Sequence, residues 1–164
     1  MKEKYFFCLF DVLGFSKKLA DIRVEEMNKL YQVLAKRVNS ISGFIAMVPN
    51  VSGHIGVCSR DIDSHYFSDT FILWTKALSD PTARLFTELV SDLICDGIEM
   101  NLPLRGTITY GDLILDKPTN TFIGEPIIEA HNIEVNQDWI GVSFGKSVSA
   151  NEARLRPISS GGFL

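Results

Sequence analysis

The stretch Phe10-Asp-Val-Leu-Gly-Phe-Ser16 constrains the fold most tightly. An almost unbroken apolar run, "YFFCLF", ends there on a carboxylate, meets a glycine, and passes at once into an amphipathic segment. An apolar run without alternation is what a central strand covered on both faces requires. Such a strand delivers Asp11 to its exposed end.

The periods that follow predict the remaining elements. From Ser16 to about Ile41, the residues Leu19, Ile22, Met27, Leu30, Tyr31, Leu34 and Val38 suggest one long amphipathic helix with Ser16 as its N-cap. The segment 42–61, broken by Gly43, Pro49, Gly53 and Gly56, reads as an irregular connection or a short strand. Two β-prone runs, 61–67 and 70–75, flank Ser68-Asp69 and predict a tight hairpin with Asp69 in the turn. Asp80-Pro81 opens a second helix with a stripe from Leu85 to Ile98, ending before Pro103.

Beyond Pro103, "LRGTITY" predicts a strand, Gly111-Asp112 a turn and "LIL" its return partner. Gly124 and Pro126 open a short helix through about Val135, "WIGVSF" is a further strand, and a last short helix spans 146–154. Trp74 and Trp139 fall in strand runs and read as core. The order is that of an α+β, ferredoxin-like βαββαβ core with a C-terminal extension. One domain is expected over 1–156, with a flexible tail over 157–164.

In that topology the first and third strands are antiparallel neighbours, so Asp11 and Asp69 face each other at one end of the sheet. Two carboxylates beside a glycine turn suit hard divalent ions bound through oxygen, and two such ions can clamp a triphosphate. Each aspartate alone is also an ordinary cap or turn residue. The pairing is what carries the expectation.

Composition narrows the partners. A chain of 164 residues with 46% hydrophobic content can bury a sizeable core, and a formal charge of −4 gives no general pull toward nucleic acid or anionic lipid. The apolar run behind Lys2 and Lys4 is too short for a signal peptide, and no later run approaches a membrane span. Three cysteines, Cys8, Cys58 and Cys95, form no CxxC pair and suit reduced thiols. A cytoplasmic protein that binds neither nucleic acid nor membrane is expected. His54, Cys58, Asp61, Asp63 and His65 match no standard zinc or calcium spacing.

"LFDVLGFS" resembles the Asp-x-x-Gly-Phe opening of the class III nucleotidyl cyclases, the adenylate and guanylate cyclase superfamily. "HYFSDTFILW" is similar to that family's hairpin with its second metal Asp. "LPLRGTITYGDL" resembles the Arg-containing strand and Gly turn, and "FIGEPIIEAHNIE" the segment that in the family reads roughly Gly-x-x-Val-Asn-x-Ala-x-Arg. In order and spacing the resemblance runs from Phe6 to about Ser143. The set also resembles the compact pyrimidine cyclases of bacterial antiphage defence.

The resemblance implies a cyclase-type, or palm-type, fold acting as a homodimer with its site in the cleft between subunits. It implies two Mg²⁺ or Mn²⁺ ions on Asp11 and Asp69, and the backbone of Leu13, Gly14 and Phe15 against the phosphates of a nucleoside triphosphate. His65 takes the place of the base-selecting Lys of adenylate cyclases. Ile128 and Asn132 fall where the family carries its transition-state Asn and Arg, which puts turnover in question, because an amide does not supply a guanidinium's charge. Many relatives also carry a phosphate-binding Lys on a strand that follows the counterpart of "WIGVSF".

Arg105 and His131 are the cations best placed to substitute as catalytic groups. Glu129 and Glu134 read as solvated, or as partners for Arg154 or Arg156. The expected activity is conversion of a nucleoside triphosphate to a 3',5'-cyclic nucleotide and pyrophosphate. The alternatives are a cyclase-fold module that binds nucleotide or a protein partner without turnover, and a palm-type nucleotidyltransferase.

Overall fold

A computed structural model describes residues 4–40, 45–50, 53–58, 62–75 and 80–151. The apolar N-terminal run forms β1 (Lys4–Val12), and its side chains split between two cores. Phe6, Cys8 and Phe10 join the cluster that holds Leu34, Val38, Phe86 and Leu93, whereas Phe7 and Leu9 pack with Ile72, Trp74 and Ala130. Burial on both faces is what the missing alternation requires.

Around β1 lies a five-stranded sheet, in the order β4-β5-β1-β6-β9. Its members are β4 (Ile62–Phe67), β5 (Thr70–Thr75), β6 (Leu104–Asp112) and β9 (Gly141–Phe144). β1 runs antiparallel to β5 and β6, β4 runs antiparallel to β5, and β9 runs parallel to β6. One face carries α1 (Phe15–Asp21), α2 (Val24–Ser40) and α3 (Asp80–Glu99). The other carries α4 (Glu125–Glu134) and a small sheet of β7 (Ile114–Asp116) and β8 (Thr121–Ile123). The mixed α+β architecture agrees with the βαββαβ core expected from sequence.

Several expectations are corrected. The long helix is two, because Ile22 is extended (φ −123°, ψ 158°) and closes α1 through its N–H to the Lys18 carbonyl. From Ile22 to Met27, a step of five residues, the buried stripe is interrupted, and the one apolar residue between them, Val24, is 67% exposed. Gly14, at φ +74°, rather than Ser16, is the N-terminal boundary residue of α1. The glycine-broken segment holds a hairpin, β2 (Ile45–Asn50) with β3 (Gly53–Cys58), rather than one short strand.

"LIL" does not return along β6. β6 stays paired with β1 as far as Asp112 opposite Lys4, and β7 takes β8 as its partner instead. Trp139 is not core: it is 52% exposed, whereas Trp74 is 4% exposed. The last helical turn is a 3-10 segment, Lys146–Asn151, and the expected tail lies outside the described residues.

Candidate functional site

The sheet brings Asp11 and the Ser68-Asp69 turn to one end. Asp11 pairs in register with Thr70, and the Val12 N–H donates to the Asp69 carbonyl at 3.3 Å. Ser68 takes the left-handed region (φ 52°), which closes the turn in two residues. The hairpin and the strand order thus unite two carboxylates 58 positions apart in sequence, and the two interact electrostatically.

Arg105, second residue of β6, stands directly opposite Asp11 in the β1–β6 ladder. Its Nη2 lies 3.2 Å from Asp11 Oδ2, its Nη1 donates to the Gln137 carbonyl at 2.9 Å, and its Nε lies 2.6 Å from Glu134 Oε1. The last contact is an ion pair and not an aligned hydrogen bond, since neither atom has a hydrogen-bond partner in directional geometry. Gly106 lets β6 come this close to β1, because a Cβ there would lie 2.4 Å from the Leu9 carbonyl oxygen.

Asp11's carboxyl pKa is pushed up to about 6, first by burial, then by Asp69 and Glu134. Arg105 pulls it the other way through charge and hydrogen bond, and does not prevail. Excess negative potential therefore collects at this end of the sheet. A divalent cation relieves such a potential.

The donor set fits a hard cation of one kind. Among the described residues no group of three or more His, Cys, Asp or Glu side chains converges as a metal cage. Two carboxylates are, however, what Mg²⁺ takes when substrate phosphates and water complete its octahedron. Asp11 and Asp69 fit an ion that arrives with phosphate better than one held by protein alone.

The other expected site residues lie at varied distances from this centre. Gly14 is exposed, with nothing within 4 Å of where a Cβ would be, so the turn after β1 is open to a ligand. The Leu13 N–H donates to the Pro103 carbonyl at 2.8 Å, which leaves Gly14 and Phe15 as the parts of that turn able to face a phosphate. Phe15 also packs edge-on to Tyr31.

His65 shares the sheet face of Asp11 but lies two strands over and two residues down the ladder, about 12 Å away by strand spacing. It stacks on Phe122 of β8, with ring centroids 5.0 Å apart. Asn132 is exposed on α4 with Ile128 one turn before it. Both border a 420 Å³ hollow shared with Glu125, Glu129, Ile133 and Lys146. His131 is exposed, 3.8 Å from Glu134.

Two residues of the site escaped the sequence reading. Glu134 is buried at 4% exposure and is not solvated; Arg154 and Arg156, the partners also expected for it, lie outside the described residues. Its signal was present: Pro126, Ala130 and Glu134 recur at four and form the buried stripe of α4. Glu129 is engaged too, accepting from the Ser147 amide and hydroxyl. Gln137, also buried, donates to the Trp139 and Gly141 carbonyls and accepts from the Ser143 hydroxyl, so the chain entering β9 is fastened beside Arg105.

Comparison with solved structures bears on the fold. A class III adenylyl cyclase-like ATP-binding protein from Pseudomonas aeruginosa superposes with a TM-score of 0.56 over 89% of this chain, at 10% sequence identity. The fold is cyclase-like. The chain spans about a third of that protein's length, 34%. No family model matches the sequence, and no curated protein does. No helix among the described residues is long and apolar enough to cross a membrane.

Proposed function

We propose that this chain is a nucleotidyl cyclase-type protein that binds a nucleoside triphosphate with divalent metal at Asp11 and Asp69 and forms a 3',5'-cyclic nucleotide, with pyrophosphate leaving the α-phosphorus. The observation that carries this reading is the meeting of Asp11, Asp69 and Arg105 at one end of a cyclase-like sheet. The solved protein of similar fold is described as ATP-binding, which supports a nucleotide as ligand.

Asp11 and Asp69 would hold Mg²⁺ or Mn²⁺, which when bound lowers the pKa of a ribose hydroxyl and neutralises phosphate charge. The chain's own groups do the rest. The carboxylates fix where the triphosphate enters, the open Gly14 turn admits its phosphates, and Arg105 supplies a fixed positive charge beside Asp11. Assembly as a homodimer is part of the proposal. Ile114 and Ile123 on the β7–β8 sheet and Ile128 on α4 are exposed apolar residues on the elements that cover the Asp11 face, and pairing would bury them.

One observation favours a second reading, binding without turnover. Ile128 and Asn132 offer no cation at the α4 surface, and Arg105 is already engaged by two carboxylates. The deciding experiment incubates the purified protein with ATP, GTP, CTP or UTP and Mn²⁺, with mass spectrometry of the products. A cyclic nucleotide that disappears in Asp69→Asn supports the enzyme. Saturable NTP binding with no cyclic product from any of the four supports the binder, and no binding of any NTP overturns both.

A further inference from the structure

Arg105 is held unevenly. A guanidinium is a rigid plane with five N–H donors in fixed directions, so anchoring two of its nitrogens sets where the third points. Here Nε lies against Glu134 and Nη1 against the Gln137 carbonyl, both from residues more than nine-tenths buried. Both anchors come from α4 and the turn after it, and only Nη2 faces Asp11. Gln137 is itself locked by its bonds to Trp139, Gly141 and Ser143. Two contacts to buried residues, one hydrogen bond and one ion pair, therefore hold the anchor side, while the Asp11 side has one contact.

We propose that Glu134, with the Gln137 carbonyl, is the positioning residue of Arg105: it holds the guanidinium so that Nη2 stays pointed at the Asp11 end and becomes available to a phosphate oxygen once a divalent ion takes the Asp11 carboxylate. This rests on the nucleotide-binding reading above. It adds that the working cation of the site is set by a buried carboxylate on α4 whose role is indirect.

The two roles open to Glu134 differ in sign. As a bare negative charge near the site, Glu134 repels phosphate, so neutralising it strengthens triphosphate binding. As the anchor of Arg105, its neutralisation lets the guanidinium fall back on Asp11, and triphosphate binding weakens. Lost positioning of one charge-assisted hydrogen bond is worth roughly tenfold or more in affinity.

The test is calorimetric titration of inorganic triphosphate in the presence of Mn²⁺ into wild type, Glu134→Gln, Arg105→Met and the double variant, with folding checked by thermal melts. Positioning predicts that Glu134→Gln weakens binding about tenfold and that the same change has no effect in the Arg105→Met background. Tighter binding in Glu134→Gln, or effects of the two substitutions that simply add, overturns the proposal. If Glu134→Gln alone does not fold, Arg105→Met against the double variant still decides: equal affinity supports positioning, and a gain on neutralising Glu134 refutes it. Wild type that binds no triphosphate at all overturns the nucleotide reading and this inference together. Wild type that binds while Glu134→Gln matches it overturns only the inference.

Discussion

Asp11 and Arg105 sit opposite each other across the β1–β6 ladder with carboxylate and guanidinium 3.2 Å apart, yet the Asp11 pKa is raised and not lowered. An exposed pair at that distance would favour the charged carboxylate. Burial and two neighbouring carboxylates outweigh one guanidinium that is shared with Glu134. Three carboxylates thus share one guanidinium, and this shapes how the site responds to pH and to metal.

Stability of the metal-free protein should fall as pH rises through the acid range. Asp11 has an ordinary pKa of 3.8 and a folded value of about 6, so between these the folded state binds the proton and the unfolded state does not. Unfolding then releases a proton, and stability declines from about pH 4 to about pH 6 and is level above. The gap corresponds to about 3 kcal/mol if fully expressed, or about 2 kcal/mol after allowance for screening at a partly exposed carboxylate. Urea unfolding in EDTA at pH 4.5 and 7.5, for wild type and Asp11→Asn, isolates the contribution. Because pH 4.5 already lies above 3.8, the wild type should lose about two-thirds of that amount more than the variant between these two values. Identical pH profiles would mean that burial, Asp69 and Glu134 do not raise the Asp11 pKa.

What the sequence made legible was local. The double-sided apolar run, the Ser68-Asp69 turn and the strand order follow from patterns a few residues long, and together they place Asp11 by Asp69. Glu134 and Gln137 were not legible, because their importance depends on α4 lying across the sheet against Arg105, a contact 29 and 32 positions away in sequence. The split between α1 and α2 was written in the five-residue step after Ile22 but masked by good periodicity on both sides. Trp139 shows the limit of composition: a strand-like run continues to the edge of the sheet, and the tryptophan at its start remains outside the core.

Metal and triphosphate should stabilise the fold together more than either does alone. Two carboxylates leave most of an octahedral ion's positions to phosphate and water, so Mn²⁺ alone gives a small rise in melting temperature. Mn²⁺ with triphosphate at about a hundred times the dissociation constant adds about 2.7 kcal/mol, or about 5–10 °C for a domain of this size. Asp11→Asn and Asp69→Asn should each blunt the combined shift. Equal shifts in all three proteins would put the metal elsewhere.

Two glycines of the site should respond very differently to alanine. A Cβ at Gly106 would lie 2.4 Å from the Leu9 carbonyl oxygen and 2.8 Å from Phe10 Cδ1, inside the β1–β6 ladder near the start of β6, where backbone cannot give way. Gly106→Ala should cost several kcal/mol, about 3 or more, or prevent folding. At Gly14 a Cβ meets nothing within 4 Å, and the only cost is the left-handed backbone at φ +74°, about 1–2 kcal/mol. Chemical denaturation of the two variants gives the comparison. A Gly14→Ala variant less stable than Gly106→Ala would contradict the packing at the head of β6.

Assembly should be sensitive to substitution at the surface of α4. Ile128 is 62% exposed and borders the hollow shared with Asn132 and Ile133, so in an isolated subunit its replacement by lysine changes stability by no more than about 0.5 kcal/mol. In a homodimer that covers this face, the same substitution buries an unpaired ammonium. That costs several kcal/mol, enough to weaken association at least about a hundredfold. Sedimentation of the wild type at micromolar concentration should show a dimer, and Ile128→Lys a monomer with an unchanged far-ultraviolet spectrum. The monomeric variant should also lose any cyclic product, although it retains Asp11, Asp69 and Arg105, because a cleft closed by a second subunit is then missing. A wild type that sediments as a monomer while forming cyclic nucleotide would show that one subunit carries the whole site.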